Sequence, residues 1–195
     1  MEYLIREYPL RQGALEIAYI EEFFNEFPAR KTTAEILQRL DGRQSQILMA
    51  EAPLADDPST VIPVSYKVSH ELREDESDPK LADLVARLRP AVGFSGTRVL
   101  YNWLGATRRD WRGQGHFRAL TEEQEVWAVS HGFDTVVVKT KNRYYDMRGT
   151  LDQLQFDVIK FEPSQQMLDS KVYMSKRLGT FVLDAHRSQR TVTRV

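Results

Sequence analysis

The chain has no cysteine. Disulfides, thiolate nucleophiles and thiolate metal sites are therefore excluded together, and a reducing compartment fits. Histidine is scarce. The four, at 70, 116, 131 and 186, are scattered, and no pair has the helical spacing of a metal site. No metal is expected. There is no Gly-x-Ser-x-Gly elbow, so a Ser-His-Asp hydrolase is unsupported. There is no G-x-x-x-x-G-K-[ST] run, which removes the P-loop class. Charge of one sign is lacking too: 27 Lys and Arg face 28 Asp and Glu, a net charge of −1. No global field draws such a chain to nucleic acid or to a membrane surface. No apolar run approaches a membrane span, and MEYLIREYPL is not a basic-then-apolar signal. The expectation is a cytoplasmic protein.

What is present suits a packed globule. The 195 residues are 42% hydrophobic and 28% charged, enough for one domain with a real core or for two small ones. The organising stretch is residues 98–140, which reads as strand, tight loop, helix, strand. Val99 to Thr107 is apolar, aromatic or β-branched. Arg108-Arg109-Asp110-Trp111-Arg112-Gly113-Gln114-Gly115 then breaks the strand. Two glycines one residue apart, just before a helical pattern, let backbone N–H groups converge on an anion. The helix start adds unpaired N–H groups and the positive end of its dipole. Arginines at 108, 109 and 112 add full charge, so a phosphate or pyrophosphate is the natural guest. The dinucleotide pattern G-x-G-x-x-G fails at its third glycine, where Arg118 stands.

Arg112-Gly113-Gln114-Gly115-His116-Phe117 is similar to [QR]-x-x-G-x-[GA], the acyl-CoA loop of the GNAT N-acetyltransferases, in five of six positions. Phe117 departs from it. Downstream, Val136-Val137-Val138 leads to Thr140-Lys141-Asn142-Arg143-Tyr144, and a later Leu154-Gln155-Phe156-Asp157-Val158-Ile159 follows. This order resembles the branch with a T-K-N-x-aromatic signature and a G-F-[DQ]-[IV]-[IV] segment, with Gln155 in place of the usual Gly. The resemblance implies an α/β (α+β) GNAT acyltransferase fold. That fold has a mixed, mostly antiparallel sheet with splayed central strands and helices on both faces. It also implies acetyl-CoA as acyl donor. The pyrophosphate would lie on Arg112 to Phe117, and the pantetheine arm along Gly105, Ala106 and Thr107. Asn142 and Tyr145 would touch the pantetheine or the nucleotide, and His116 lies within the loop.

The rest of the chain supplies the expected frame. Residues 2–9 read as a first strand and residues 14–27 as a helix whose inner face carries Leu15, Tyr19, Phe23 and Phe27, flanked by Ile20 and Phe24. Thr32 and Glu35 form a capping box, and Gly42 ends that second helix. Gln46–Ala50 and Thr60–Ser69 read as a hairpin. Asp78-Pro79 starts a helix with Leu81, Leu84, Val85 and Leu88 inward, and Pro90 stops it. In the GNAT layout the third and fourth strands join directly. Residues 71–97 are then a helical insertion within a single domain, 1–178. The insertion is a candidate cover for the substrate side, a dimer contact or surface decoration. In the helix after the loop, Phe117, Leu120, Trp127 and Ala128 read as one face and Glu122, Glu123 and Glu125 as a solvated one. Three successive valines mark a strand buried on both sides. Residues 179–195 read as a tail, disordered or crossing a partner copy in a homodimer.

The chemistry of acetyl transfer to an amine asks for a base, an oxyanion donor and an acid for the leaving thiolate. In the resemblance the acid is a Tyr five residues before the Phe of "Gly-Phe", but position 151 is Leu. Tyr145 is the first substitute and Tyr101 the second. The fourth strand carries no Asp or Glu. Without cysteine, direct transfer in a ternary complex to a small amine or amino-acid-like acceptor is the expectation. A catalytically weak or inactive GNAT-like module that binds CoA or a protein is the alternative.

Overall fold

A computed structural model describes residues 3–11, 15–23, 31–54, 56–186 and 192–194. The elements in chain order are β1 (Leu4–Tyr8), α1 (Leu15–Phe23), α2 (Thr33–Leu40), β2 (Ser45–Pro53), β3 (Val61–Leu72), α3 (Pro79–Leu88) and β4 (Val99–Thr107). They continue with α4 (His116–Ser130), β5 (Thr135–Lys141), α5 (Tyr145–Gln153), β6 (Asp157–Glu162), β7 (Lys171–Arg177), α6 (Thr180–His186) and β8 (Val192–Arg194). The chain forms two compact units. One comprises Met1–His70, Leu104–Gln124 and Gln189–Val195. The other comprises Glu71–Trp103 and Glu125–Ser188. Strand pairing is mixed and mostly antiparallel.

In the first unit β2 is central. It pairs antiparallel with β1, from Leu4↔Glu51 to Tyr8↔Ile47, and with β3, from Ser45↔His70 to Pro53↔Val61. The end of β4 lies against β3, where Ser65 Oγ donates to the Ala106 carbonyl at 3.0 Å and Arg108 N–H to the Val64 carbonyl at 2.9 Å. Ile5, Leu48, Ala50, Val64, Trp111, Ala119 and Leu120 form its core. The capping box of α2 forms as expected: Thr32 Oγ1 accepts from Glu35 N–H, and Glu35 accepts from Thr32 N–H at 2.9 Å. The face expected on α1 is corrected in part. Ile20, expected to flank it, is buried together with Ile17, whereas Leu15 and Tyr19 are 74% and 44% exposed. An i, i+3 isoleucine pair is enough to seat a nine-residue helix, which leaves Tyr19 to face outward. The Phe27 end of that stripe lies outside the described residues.

In the second unit the strand order is β4-β5-β7-β6. β4 runs parallel to β5 for four rungs, from Val99↔Thr135 to Asn102↔Val138. So short a ladder is what the expected splay of the central strands requires. β7 pairs antiparallel with both β5 and β6. The expected helix over the 71–97 insertion is α3, capped by Asp78, whose carboxylate accepts from Lys80 and Leu81 N–H. Its buried stripe packs on Val99, Tyr101, Val137 and Tyr173. Thr140 meets Met147 of α5 at 3.7 Å. Residues 137 and 140 differ in parity along β5, so α3 and α5 cover opposite faces.

Within 179–195, the described residues 179–186 and 192–194 carry two elements. α6 forms, and β8 pairs in parallel with β1, Ile5↔Val192 to Glu7↔Arg194. The open edge of β1 offers unpaired backbone groups, and the chain's own end takes them. The solvated face expected on α4 is a second correction. Glu122 is 4% and Glu125 0% exposed. Lys176 Nζ lies 2.6 Å from Glu125 Oε2, and Arg118 Nε lies 3.0 Å from Glu122 Oε1. The carboxylates tolerate burial because cations meet them there.

α5 ends in a Schellman arrangement. Phe156 N–H donates to the Leu151 carbonyl at 3.0 Å and Gln155 N–H to the Asp152 carbonyl at 2.9 Å. Gln155 therefore takes φ 67°, a left-handed backbone with a side chain attached. Leu151 and Phe156, the flanking apolar pair, are both buried. Gln155→Gly relieves that conformation and is expected to raise stability by about 1 kcal/mol, read as a higher urea midpoint at unchanged slope. An unchanged or lower midpoint would contradict the reading.

Candidate active site

The site is built from the end of β4 upward. After Thr107 the chain makes a single 3-10 turn, Arg109–Trp111, closed by Trp111 N–H to the Arg108 carbonyl at 2.9 Å. The Trp111 ring is 8% exposed and anchors the turn in the first unit's core. Gly113 and Gly115 follow with φ of 76° and 84°. At both positions an added Cβ would meet nothing within 4 Å. The glycines are therefore required by backbone conformation and not by lack of space. The first bond of α4 runs from Ala119 N–H to the Gly115 carbonyl at 3.0 Å. The amides ahead of it precede the intrahelical ladder and sit at the positive helix end.

The three loop arginines differ in their surroundings. Arg108 is held by Asp110, with contacts of 3.3 and 3.2 Å. Arg112 donates from Nε to the Thr107 carbonyl at 3.1 Å, which ties the loop back to the strand end. Arg109 is exposed. Arg112, Gly113, Gln114 and Gly115 are all exposed along the rim. The His116 side chain points elsewhere. Its ring is 1% exposed, packs edge-on to Tyr3 with centroids 4.4 Å apart, and its Nδ1 lies 3.2 Å from the Trp111 carbonyl. The His116 ring is thus packed in the interior beside the turn, and only its backbone lies along the loop. Phe117 is half-buried, with the Lys67 ammonium 4.7 Å above its ring and its carbonyl accepting from Thr121 Oγ1 at 2.7 Å.

The second unit carries the other expected residues. Asn142 clamps the segment before β7: its N–H donates to the Ser170 carbonyl at 2.8 Å and its Nδ2 to the Met167 carbonyl at 3.2 Å. Arg148 donates to its side-chain oxygen. Lys141 and Arg143 both pair with Asp169 on the same segment. Tyr145 opens α5, 57% exposed, with the Arg148 guanidinium 5.7 Å from its ring centroid. Tyr101 is 7% exposed within the α3 cluster, and Leu151 is fully buried. The two tyrosines therefore stand in different surroundings, one open to solvent and one packed as core.

Sequence reasoning missed a charged cluster beside α3. Glu162 on β6 takes Arg87 of α3, Lys171 at 3.4 Å, Lys160 at 3.7 Å and the Tyr173 hydroxyl at 3.1 Å. Burial raises the Glu162 carboxyl, but hydrogen bonds from Arg87 and Tyr173 outweigh it and hold the group below the usual carboxylate range. Burial, and then the Glu162 charge, push Tyr173 up to about 12. Burial and the Lys171 charge push the Lys139 ammonium below the ordinary lysine range. Only the alternation of charge along β6 and β7 hinted at this. Because the folded Glu162 value is depressed, its stabilisation is complete above the unfolded value of 4.5 and is lost as pH falls through the folded one. Urea midpoints measured on the acid side of 4.5 should fall less steeply in Glu162→Gln than in the parent. Equal slopes would contradict this.

No protein-family profile matches the chain, and no curated protein matches its sequence. Solved structures do match its shape. Arabidopsis thaliana NAA60 in complex with a bisubstrate analogue superposes with TM-score 0.66 at 12% identity, over 90% of this chain and 98% of that one. The fold is that of the GNAT acetyltransferases. The NatC complex bound to Gag peptide and CoA matches with TM-score 0.65 at 14% identity, over 90% and 99%. A GNAT phosphinothricin acetyltransferase from Sinorhizobium meliloti, solved with acetyl-CoA, matches with TM-score 0.63 at 13% identity, over 92% and 90%. At such identities the likeness is one of GNAT fold. In that fold the Gly113–Gly115 loop stands between the fourth strand and the following helix, where the sequence resemblance puts it. No helix among the described residues is long and apolar enough to cross a membrane.

Proposed function

We propose that this chain is an acyl-CoA-dependent N-acetyltransferase that moves an acetyl group from acetyl-CoA to the amine of a small-molecule acceptor. The observation that carries this is the pair of left-handed glycines, 113 and 115, at the mouth of α4. In a GNAT fold that conformation turns successive amides toward one anionic guest. The pyrophosphate lies on the backbone of Arg112, Gly113, Gln114, Gly115, His116 and Phe117, with Arg112 adding charge. The pantetheine arm pairs with Gly105, Ala106 and Thr107 as a short strand would. Asn142 contributes through the backbone geometry it fixes, and Tyr145 through its exposed hydroxyl.

Transfer is direct. The amine nitrogen attacks the thioester carbonyl, the C–S bond breaks, and the thiolate takes a proton. An alkyl ammonium near pKa 10.4 must first be neutral, which at pH 7 costs about 4.6 kcal/mol. A carboxylate, a water chain or a desolvated pocket has to supply that. Tyr145 is the candidate acid for the thiolate. Its exposure suits a group that meets a ligand, whereas Tyr101 is enclosed by α3.

A second reading is a GNAT-like module that binds CoA or a protein without turnover. The buried Leu151 at the usual acid position and the enclosed Tyr101 favour it. Amine-dependent release of free thiol from acetyl-CoA, over a broad amine panel, separates the two. Sustained release that falls at least tenfold in Tyr145→Phe supports transfer. Thiol release no faster than acetyl-CoA hydrolysis in buffer, with every amine, supports the binding module.

A further inference from the structure

β4 pairs with β5 up to the rung Asn102↔Val138 and no further. Asn102 is thus the last residue of β4 in that ladder. It is 6% exposed. Tyr101 on one side of it belongs to the α3 cluster, and Trp103 on the other packs against that cluster. Neighbours in a strand alternate between faces, so the Asn102 side chain lies on the face opposite α3. Among the described residues, neither its Oδ1 nor its Nδ2 has a hydrogen-bond partner.

Such a group lowers stability. Buried side-chain amides are nearly always bonded, and an unpaired one keeps its full desolvation cost. An aliphatic β-branched residue would suit a buried strand position without that cost. An amide left at the end of a ladder with both polar atoms unused is complementary to a guest that brings a donor and an acceptor of its own.

The acyl donor brings both. In the reading above, the pyrophosphate lies on the loop after β4 and the pantetheine arm along Gly105 to Thr107. The arm therefore runs backward along β4, with its sulfur end toward the start of the strand. The cysteamine unit spaces the thioester carbonyl from the inner amide by about 6 Å, or two residues of extended strand. That carries the acyl end past Gly105 toward Asn102. The thioester carbonyl accepts a hydrogen bond, and the inner amide N–H donates one. A phosphate offers acceptors only, and a hydrocarbon chain offers neither.

We infer that Asn102 holds the acyl end of the donor, its Nδ2 donating to the thioester carbonyl oxygen and its Oδ1 accepting from the pantetheine amide nearest the sulfur. This deepens the acetyl-transfer reading and rests on it for the ligand. When an amine attacks, negative charge gathers on the same carbonyl oxygen, and the Nδ2–H is already aimed at it. The charge returns to the carbonyl as the C–S bond breaks and the thiolate leaves.

The test is titration calorimetry on the full chain and on Asn102→Leu with three probes: acetyl-CoA, free CoA, and 3′-phosphoadenosine 5′-diphosphate, which keeps the pyrophosphate and lacks the arm. The variant should bind acetyl-CoA at least tenfold more weakly than the parent does. Free CoA, which has no thioester carbonyl, should lose a smaller factor, and the nucleotide should stay within threefold of the parent. Asn102→Ala should give the same order of losses. Acetyl-CoA affinity unchanged in both variants overturns the inference, because the amide then meets only buried water. Equal losses for all three probes overturn it as well, because the residue then supports the loop and touches no acyl group. Failure of both variants to fold also overturns it, since the amide would then be bonded within the protein. Absence of acetyl-CoA binding by the parent is read in its own titration. That result would sink the acetyl-transfer reading, and this inference with it.

Discussion

Gly115→Val is expected to weaken acetyl-CoA binding by at least 100-fold, whereas Gly115→Asn should lose no more than about tenfold. The residue sits at φ 84°, and a side chain placed there meets no neighbouring atom. Steric blockage within the protein is therefore not the cause. A left-handed backbone costs an ordinary residue roughly 1–2 kcal/mol, more if β-branched, while asparagine visits it readily. Valine would escape by turning the peptide, and the amides on either side would no longer converge. Hydrogen bonds from amides to a charged group are worth about 1.5–3 kcal/mol each. Losing two of them accounts for the hundredfold. Titration calorimetry on both variants checks the order. Equal losses would mean that the added side chain, and not the loop conformation, matters. The fold should survive in both, since the first unit's core does not include Gly115.

The second large effect is on stability. Lys176→Met is expected to destabilise the protein by about 3–5 kcal/mol, the usual cost of removing one partner from a buried pair. Lys176 and Glu125 lie 2.6 Å apart with side chains 9% and 1% exposed. The substitution takes the ammonium away from a carboxylate whose side chain is 1% exposed. For a chain of this size the loss corresponds to on the order of 10 °C in melting temperature. Replacing both residues, Lys176→Met with Glu125→Leu, should restore most of it, because the paired charges repay little beyond their own desolvation. A double variant as unstable as the single one would contradict this account.

That pair also shows where sequence reading stops. Glu125 lies among three glutamates on a helix, a pattern that ordinarily marks a solvated face. Its burial depends on a lysine 51 residues later, and no local periodicity records such a partner. The same holds for β8. Its pairing with β1 joins the two ends of the described chain, and the unpaired edge that attracts it exists only once the sheet has formed. By contrast, local signals served well. Thr32 with Glu35, Asp78 with Pro79 and the Val136–Val138 run each fix an element through a contact or burial pattern within a few residues. The Gly-Gln-Gly segment was legible for the same reason, since only a left-handed backbone makes two alternate glycines worth having. Gln155 is instructive from the other side. The resemblance asked for Gly there, and the chain adopts the glycine conformation without the glycine. The place of His116 in the loop says nothing of where its ring points, and the ring is buried.

The reading of the glycine loop stands or falls on acetyl-CoA. Calorimetric titration of the purified chain with acetyl-CoA, alongside Arg112→Glu, tests it most directly. The account predicts micromolar or tighter binding, reduced at least 30-fold when the arginine tethered to Thr107 is replaced by an acid. Absence of binding by the parent chain, or equal binding by the Arg112→Glu variant, would contradict it, and the loop would be only a strand-to-helix turn.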